Sequence, residues 1–357
     1  MYFLSYNKVI FVSNYAADYA GNFIASLFAL AKQLRKAGNK VIFIFPNEAK
    51  SQNWEVNLSE FKVIYSGFNY EALIKCINNE ISDNDKVIIH THFMSSMFCL
   101  RLKKVLSNKD KIVFQQHMAV KFGLKQIIKG IILKEFGFNN TTYIGVSPAV
   151  YDDICKEVGS SKSRLVTNAL DLERLDSSNN KRASRNNILI FGSDYKRKGV
   201  DLAIKAIKKA QLESKVKLFV VTHTPTVAKR ITQDEFKEIP SFVKFIEPTT
   251  NVTKLYRSCF LFLSPSRSEA FGYSVIEAAY SGLRVIATDV PGQNILKNVP
   301  HITWVNSNNV EQLSNAIFKV YGQSKEKVVD VYKTRKIIEK DYSLERWVNQ
   351  IMDIYNE

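Results

Sequence analysis

Short apolar runs alternate with longer stretches of helical spacing along nearly the whole chain, and the series occurs twice. The first set of runs lies at 9–12, 41–44, 62–65, 87–89, 112–114 and 143–146. These runs are rich in Val, Ile and Phe and lack polar alternation, as strands buried on both faces of a parallel sheet do. Between the first two, Phe23, Leu27, Leu30, Ala31 and Leu34 keep helical spacing until Gly38 closes the segment. A polar stretch of Ser, Asn, Lys and Arg at 176–187 has no apolar period. A second series follows at 188–191, 217–221, 243–246, 259–263 and 285–288. Alternation of this kind predicts helices on both faces of parallel sheets, hence two Rossmann-like α/β domains. The expected division is 1–175, a linker at 176–187, 188–340, and a closing helical segment at 341–357. That last segment opens at Ser343, a good N-cap, and sets Leu344, Trp347, Ile351 and Ile354 on one stripe.

At 357 residues the chain is long enough for two separate cores. No stretch approaches the ~18–20 apolar residues of a membrane span. Asn7 and Lys8 break the N-terminal apolar run too early for a secretory signal. Cys76, Cys99, Cys155 and Cys259 are scattered without a Cys-x-x-Cys pair, as expected of reduced thiols in the cytoplasm. The net charge of +16 has a local source. Arg101, Lys103, Lys104, Lys109, Lys111, Lys121, Lys125, Lys129 and Lys134 are opposed in that segment only by Asp110. No nucleic-acid-binding motif accompanies them, so nucleic acid is not the expected partner. Lys121, Lys125 and Lys129 share a helical side near Leu124, Ile127, Ile128 and Ile131. Two readings stay open here: a helix packed on the sheet, or a helix lying on an anionic membrane surface.

The chemistry concentrates in two loops of the second series. After the run 259–263 come Ser264-Pro-Ser-Arg-Ser-Glu-Ala-Phe-Gly-Tyr-Ser-Val-Ile-Glu, which place Glu269 in a loop and Glu277 inside the next helix. The loop beyond a parallel strand's carboxyl end is where ligands bind in open α/β sheets. Amides of Phe271, Gly272 and Tyr273 are expected to be free to face such a ligand. After the run 188–191, Gly192-Ser-Asp-Tyr-Lys-Arg-Lys-Gly joins strand to helix with consecutive cations, which suits a diphosphate. Asp83-Asn-Asp85 reads as a turn rather than a metal site. His90 and His92 are read as pointing to opposite faces of their strand, so no metal is expected.

The Glu-x7-Glu pattern, with Lys198-Gly199 at the strand–helix junction, resembles the retaining family-4 glycosyltransferases of the GT-B fold (glycosyl transferases group 1). The resemblance implies two Rossmann-like domains facing a central cleft, with the closing helix returning to the first. It implies that Glu269 and the backbone of Ala270, Phe271, Gly272 and Tyr273 hold a donor sugar. Glu277 would hold the ribose of its nucleotide. Lys198 would neutralise the leaving diphosphate. An Arg usually follows the first Gly of that loop; Ser193 stands there, and Arg197 is expected to supply the second charge. On the first-domain side the resemblance points to His117 at a strand end near the sugar-transfer site, with His90 or His92 lining the acceptor. Gly21 stands where the family has a Gly-rich loop, and Gly21 and Asn22 are expected to present their amides to phosphate or acceptor, a helix N-cap being the equal reading of Asn22. Asn168 and Asp171 match a family stretch at the end of the first domain. The implied activity is transfer of a hexosyl unit from a nucleotide diphosphate sugar (UDP-sugar favoured, GDP-sugar second) to a lipid-linked or surface glycan. No cofactor is expected. The implied location is cytoplasmic, peripheral at the inner face of the membrane. A sugar-nucleotide epimerase on the same fold is the alternative enzyme, and a basic nucleic-acid-binding protein the alternative outside enzymes.

Overall fold

The computed structural model describes residues 4–119, 123–175, 186–249, 251–323 and 331–357. The chain forms two compact units, one of residues 1–171 with 342–357 and the other of residues 172–341. In the first, β1 (Lys8–Ser13), α1 (Gly21–Lys36), β2 (Lys40–Pro46) and β3 (Lys62–Ser66) come first. Then follow α2 (Tyr70–Glu80), β4 (Val87–His92), α3 (Phe98–Leu102) and β5 (Lys111–Gln116). Next are α4 (Leu124–Phe136), β6 (Thr141–Gly145), α5 (Pro148–Val158) and β7 (Ser163–Leu165). The sheet order is β3-β2-β1-β4-β5-β6-β7, and every pairing is parallel.

The second unit begins with β8 (Asn187–Phe191), α6 (Val200–Lys209), β9 (Lys217–Val221), α7 (Pro225–Phe236) and β10 (Val243–Ile246). It continues with α8 (Val252–Arg257), β11 (Leu261–Ser264), α9 (Tyr273–Tyr280), β12 (Arg284–Thr288) and β13 (Ile302–Val305). Helices α10 (Val310–Gln323) and α11 (Val331–Tyr342) complete it, and α12 (Leu344–Asn356) ends the chain. Its sheet, β10-β9-β8-β11-β12-β13, is again all parallel. Each sheet therefore reverses its strand order once, between β1 and β4 in one and between β8 and β11 in the other. Crevices open at the carboxyl ends of strands at such reversals. Strands β7 and β13 lie outside the runs read from the sequence, because both are short edge strands with mixed burial.

The division between units falls at Asp171/Leu172, ahead of the polar stretch. Of that stretch, 176–185 lies outside the described residues and Asn187 already opens β8. Helix α12 belongs to the first unit. Ser343 caps it, its hydroxyl accepting from the Arg346 amide at 3.3 Å. Trp347, Ile351 and Tyr355 are buried in the first core with Phe11, Phe43 and Leu30. Its C-terminal end is held by two groups of the sheet: the Lys111 ammonium donates to the Ile354 carbonyl, and His90 Nδ1 lies 2.7 Å from the Tyr355 hydroxyl. A cation at a helix C-terminus also opposes the helix dipole.

The basic segment does not form one surface. Lys111 is buried under α12, and Lys129 is half-buried and ion-paired with Glu157 at 3.1 Å. Lys109 donates to the Asp83 carbonyl, and Lys121 lies outside the described residues. Asp85 accepts from the Ser82 amide at 2.8 Å and pairs with Lys8, so Asp83-Asn-Asp85 is a turn.

Candidate active site

In the second unit the loop leaving β8 and the loop leaving β11 flank the point where strand order reverses. The β8 loop winds on itself before α6, with the Lys198 amide bonded to the Asp194 carbonyl at 2.8 Å. Gly199 then passes through φ +71°, and a Cβ there would stand 2.1 Å from the Pro265 carbonyl oxygen. Only glycine lets the two loops touch at this point. Their contact is then locked by Arg267, whose guanidinium takes both oxygens of Asp201 at 2.9 and 2.8 Å and also reaches the Lys196 carbonyl. The Arg267 amide donates to the Arg197 carbonyl at 2.7 Å. Burial pushes the Asp201 carboxyl up, but Arg267 and Lys196 outweigh it and hold the group below its ordinary value.

This clamp brings the sequence-predicted residues together. Glu269 Oε1 accepts from Lys198 Nζ at 2.5 Å and from the Ser266 hydroxyl at 2.9 Å. Arg197 Nη1 lies 3.4 Å from Glu269 Oε2, and its Nε donates to Asp194 at 2.9 Å. Two cations from one loop thus meet one carboxylate from the other. Ser193 is exposed at the start of the β8 loop and takes no part in this cluster. Ala270, half-buried, and Phe271, buried, follow Glu269 into α9. One expectation is corrected here. The Tyr273 amide is not free to face a ligand, since it donates to the Phe271 carbonyl at 2.9 Å as the chain tightens into the helix.

Glu277, about one turn into α9, is buried and doubly held. Tyr256 OH donates to Oε2 at 2.9 Å, and Arg174 Nη2 donates to Oε1 at 2.5 Å. Burial and then the adjacent Glu277 carboxylate keep the Tyr256 phenol well above its ordinary pKa, so it stays a donor. The Arg174 carbonyl in turn accepts from Thr253 at 2.7 Å.

Sequence reasoning missed Arg174 and Tyr256, and it missed the β12 loop that forms the floor. Gly292 sits at φ +87°, where a Cβ would come within 2.3 Å of the Glu269 carbonyl oxygen. Gln293, fully buried, donates to the Ser264 hydroxyl, and Thr288 donates to the Ser266 carbonyl at 2.6 Å. The only sequence signal for this floor was Pro291-Gly292 just after an apolar run.

The remaining predicted residues stand in the first unit. Gly21 starts α1 at φ +55°. Asn22 is not the N-cap that was one of its two readings; its side chain is buried and accepts from the Asp171 amide at 3.0 Å. Asn168 is buried as well. His90 and His92 do not point to opposite faces. Residues two apart on a strand share a face, and the rings stand 4.2 Å apart between centroids. His92 Nδ1 is 3.1 Å from His117 Nε2, and His117 stacks on Phe93 at 4.1 Å. Burial pushes His90 and His117 down to about 3, and holds His92 well below its ordinary value too. These imidazoles are neutral at pH 7. Among the described residues no group of three His, Cys, Asp or Glu is placed to hold a metal ion.

Residues 171–337 match the family model of glycosyl transferases group 1. An uncharacterised glycosyltransferase of Methanocaldococcus jannaschii is 24% identical, with 82% of each chain covered. The lipopolysaccharide glucosyltransferase WaaG of Escherichia coli is 31% identical over 41% of this chain and 37% of its own. Among solved structures, a glycosyltransferase from Rickettsia africae superposes with TM-score 0.80 at 16% identity, covering 98% of each chain. The Anabaena protein HepE in complex with UDP and glucose superposes with TM-score 0.77 at 14% identity, covering 97% of this chain and 98% of its own. At such identities the structural likeness bears on fold alone, and the fold is GT-B. The family model covers just under half of the chain, almost wholly in the second unit, and there the chain is similar to glycosyl transferases group 1.

Proposed function

We propose that the chain is a retaining hexosyltransferase that takes its sugar from a nucleotide diphosphate, UDP-sugar before GDP-sugar, and passes it to a lipid-linked or surface glycan. The observation that carries this reading is the convergence of Lys198, Arg197 and Glu269 at the strand-order reversal of the second unit. The cations lie where a diphosphate beside a sugar-binding carboxylate would need them. Before donor binds, Glu269 is their counter-ion, which keeps both side chains extended into place. A diphosphate would take over that charge and leave Glu269 to accept from the sugar's hydroxyls. Glu277, held by Arg174 and Tyr256, would accept from the ribose hydroxyls. In the transfer the bond from the anomeric carbon to the phosphate oxygen breaks, with its electron pair leaving on the diphosphate. The acceptor oxygen bonds to the same face of that carbon, and its proton passes to the departing phosphate oxygen. Lys198 and Arg197 stabilise the charge that develops there, without a divalent cation.

HepE was crystallised with UDP and glucose, and WaaG is named for lipopolysaccharide glucosylation. The first supports the donor class and the second a surface-glycan acceptor here. Such an acceptor places the enzyme in the cytoplasm, peripheral at the inner face of the membrane. Incubation with a panel of nucleotide sugars, followed by assay of released nucleotide and of the product's anomeric configuration, tests the reading. Release without transfer to any glycan, or an inverted product, would defeat it.

A further inference from the structure

Helix α4 wears its amphipathicity outward. Its fixed side is small: Gly130 and Leu133 are its buried residues. A Cβ on Gly130 would stand 2.3 Å from the Glu157 carbonyl oxygen, so α4 lies close against α5, and Lys129 pairs with Glu157 at that seam. The opposite side carries Leu124, Ile127, Ile128 and Ile131, exposed by 72%, 46%, 49% and 56%. At about 3.6 residues per turn these four form one stripe. Lys125 and Lys134 fall on its two flanks, both exposed. Lys103, also exposed, reaches the Phe136 carbonyl at 3.5 Å and adds charge at the helix's far end. Met118, 68% exposed, precedes the helix, and Glu135 in the last turn is its one acid.

We propose that this stripe inserts into the interface of an anionic lipid bilayer, with Lys125 and Lys134 reaching the headgroups on either side. Apolar burial would supply the depth, and the lysines the preference for negative lipid. A second copy of the chain fits less well. Two such stripes face to face would bring lysine flanks against lysine flanks, with one acid per helix between them. The surface differs from the one the sequence suggested, since Lys111 and Lys129 turn inward and the aliphatic residues face out. The inference takes from the functional reading only that a lipid-linked acceptor calls for such an attachment.

The test is co-sedimentation of the full chain with vesicles of phosphatidylcholine, alone or mixed with phosphatidylglycerol. The protein should sediment with the mixed vesicles, and Ile128→Asp/Ile131→Asp should weaken this at least ~10-fold. Lys125→Glu/Lys134→Glu should also bind more weakly at 0.1 M salt, where the Debye length is ~10 Å, yet match the parent at 1 M. All three proteins should bind UDP alike, because the substituted side chains are exposed and lie in the first unit. Loss of UDP binding in every one of them would count against the donor assignment and leave the vesicle result standing. Equal sedimentation of the aspartate variant and the parent, or no sedimentation of the parent, overturns the proposal. So does a parent that is dimeric in sedimentation velocity while the aspartate variant is monomeric, which would give the stripe to a second copy.

Discussion

The two sheets reverse strand order in the same way, yet the loops at the two reversals are built from opposite materials. In the second unit the reversal is ionic: Lys198, Arg197, Glu269, Arg267 and Asp201 tie two loops together. In the first it is aromatic and neutral. Phe11, Phe23 and Phe93 pack about His92 and His117, with ring centroids 4.1 to 6.2 Å apart. Topology sets where a crevice opens, and side chains set what it can hold. An ionic crevice suits a charged ligand such as a diphosphate. The aromatic one is a packed interior that keeps three imidazoles uncharged.

The contrast is sharpest for stability in the first unit. Trp347→Ala removes a buried anchor of α12 and should cost about 3–5 kcal/mol. Denaturant unfolding followed by fluorescence should show the loss in the first unit, where Trp54 remains as reporter, while Trp304 reports the second. Equal destabilisation of both would mean that the units unfold as one.

Chemistry should respond most in the second unit. Lys198→Ala should reduce turnover by ~10²–10³, the scale of losing one preorganised charge at a developing anion. Added EDTA should leave the parent's turnover unchanged. A Lys198→Ala enzyme of normal rate would detach the ionic cluster from catalysis, and rescue of chelated enzyme by Mg²⁺ would reassign the diphosphate's counter-ion.

Affinity for the free nucleotide separates the two carboxylates within that unit. Glu277→Ala should weaken UDP binding by about 1.5–3 kcal/mol, the range for a hydrogen bond to a charged group. Arg174→Ala should weaken it less, and Glu269→Ala should affect turnover more than UDP affinity. Calorimetric titration decides, and unchanged binding in Glu277→Ala would remove the ribose assignment.

Mild acid also distinguishes the two reversals. His90 is lowered to about 3 and His92 is lowered too, so the unfolded chain takes up protons first as pH falls below about 6.5. Their contribution is therefore complete above that pH and drains away toward the folded values, by up to about 1.4 kcal/mol per pH unit for each ring. Asp201 is also lowered, but its contribution persists down to the ordinary carboxylate range near 3.8 and is lost only below it. Between pH 6.5 and 4.5 the first unit should weaken while the second holds. Unfolding curves of Trp304→Phe, with reporters left only in the first unit, should move in that window; a flat response would show the histidines protonating without cost.

Much of the architecture was legible because it is written locally. Strand runs such as 9–12 and 217–221 need only a few consecutive apolar residues, and the N-cap at Ser343 needs only its own turn. The charged loops were legible too, since Lys198-Gly199 and Glu269 each sit directly after such a run. What joins them was not. Arg174 meets Glu277 from 103 residues away, and Gly292 makes room for the Glu269 backbone from a separate loop. Local sequence carries no record of which distant segment will approach. The histidine pair shows a different limit: the sequence reading set His90 and His92 on opposite faces, whereas a strand's period of two puts them on one, and the folded sheet shows that face to be a packed interior of rings. Helix α4 marks the boundary most clearly. Its spacing determined that Leu124, Ile127, Ile128 and Ile131 lie together, because a helix repeats every 3.6 residues whatever surrounds it. Which way that side faces depends on what α4 rests against, and the close seat of Gly130 on α5 turned it to the outside.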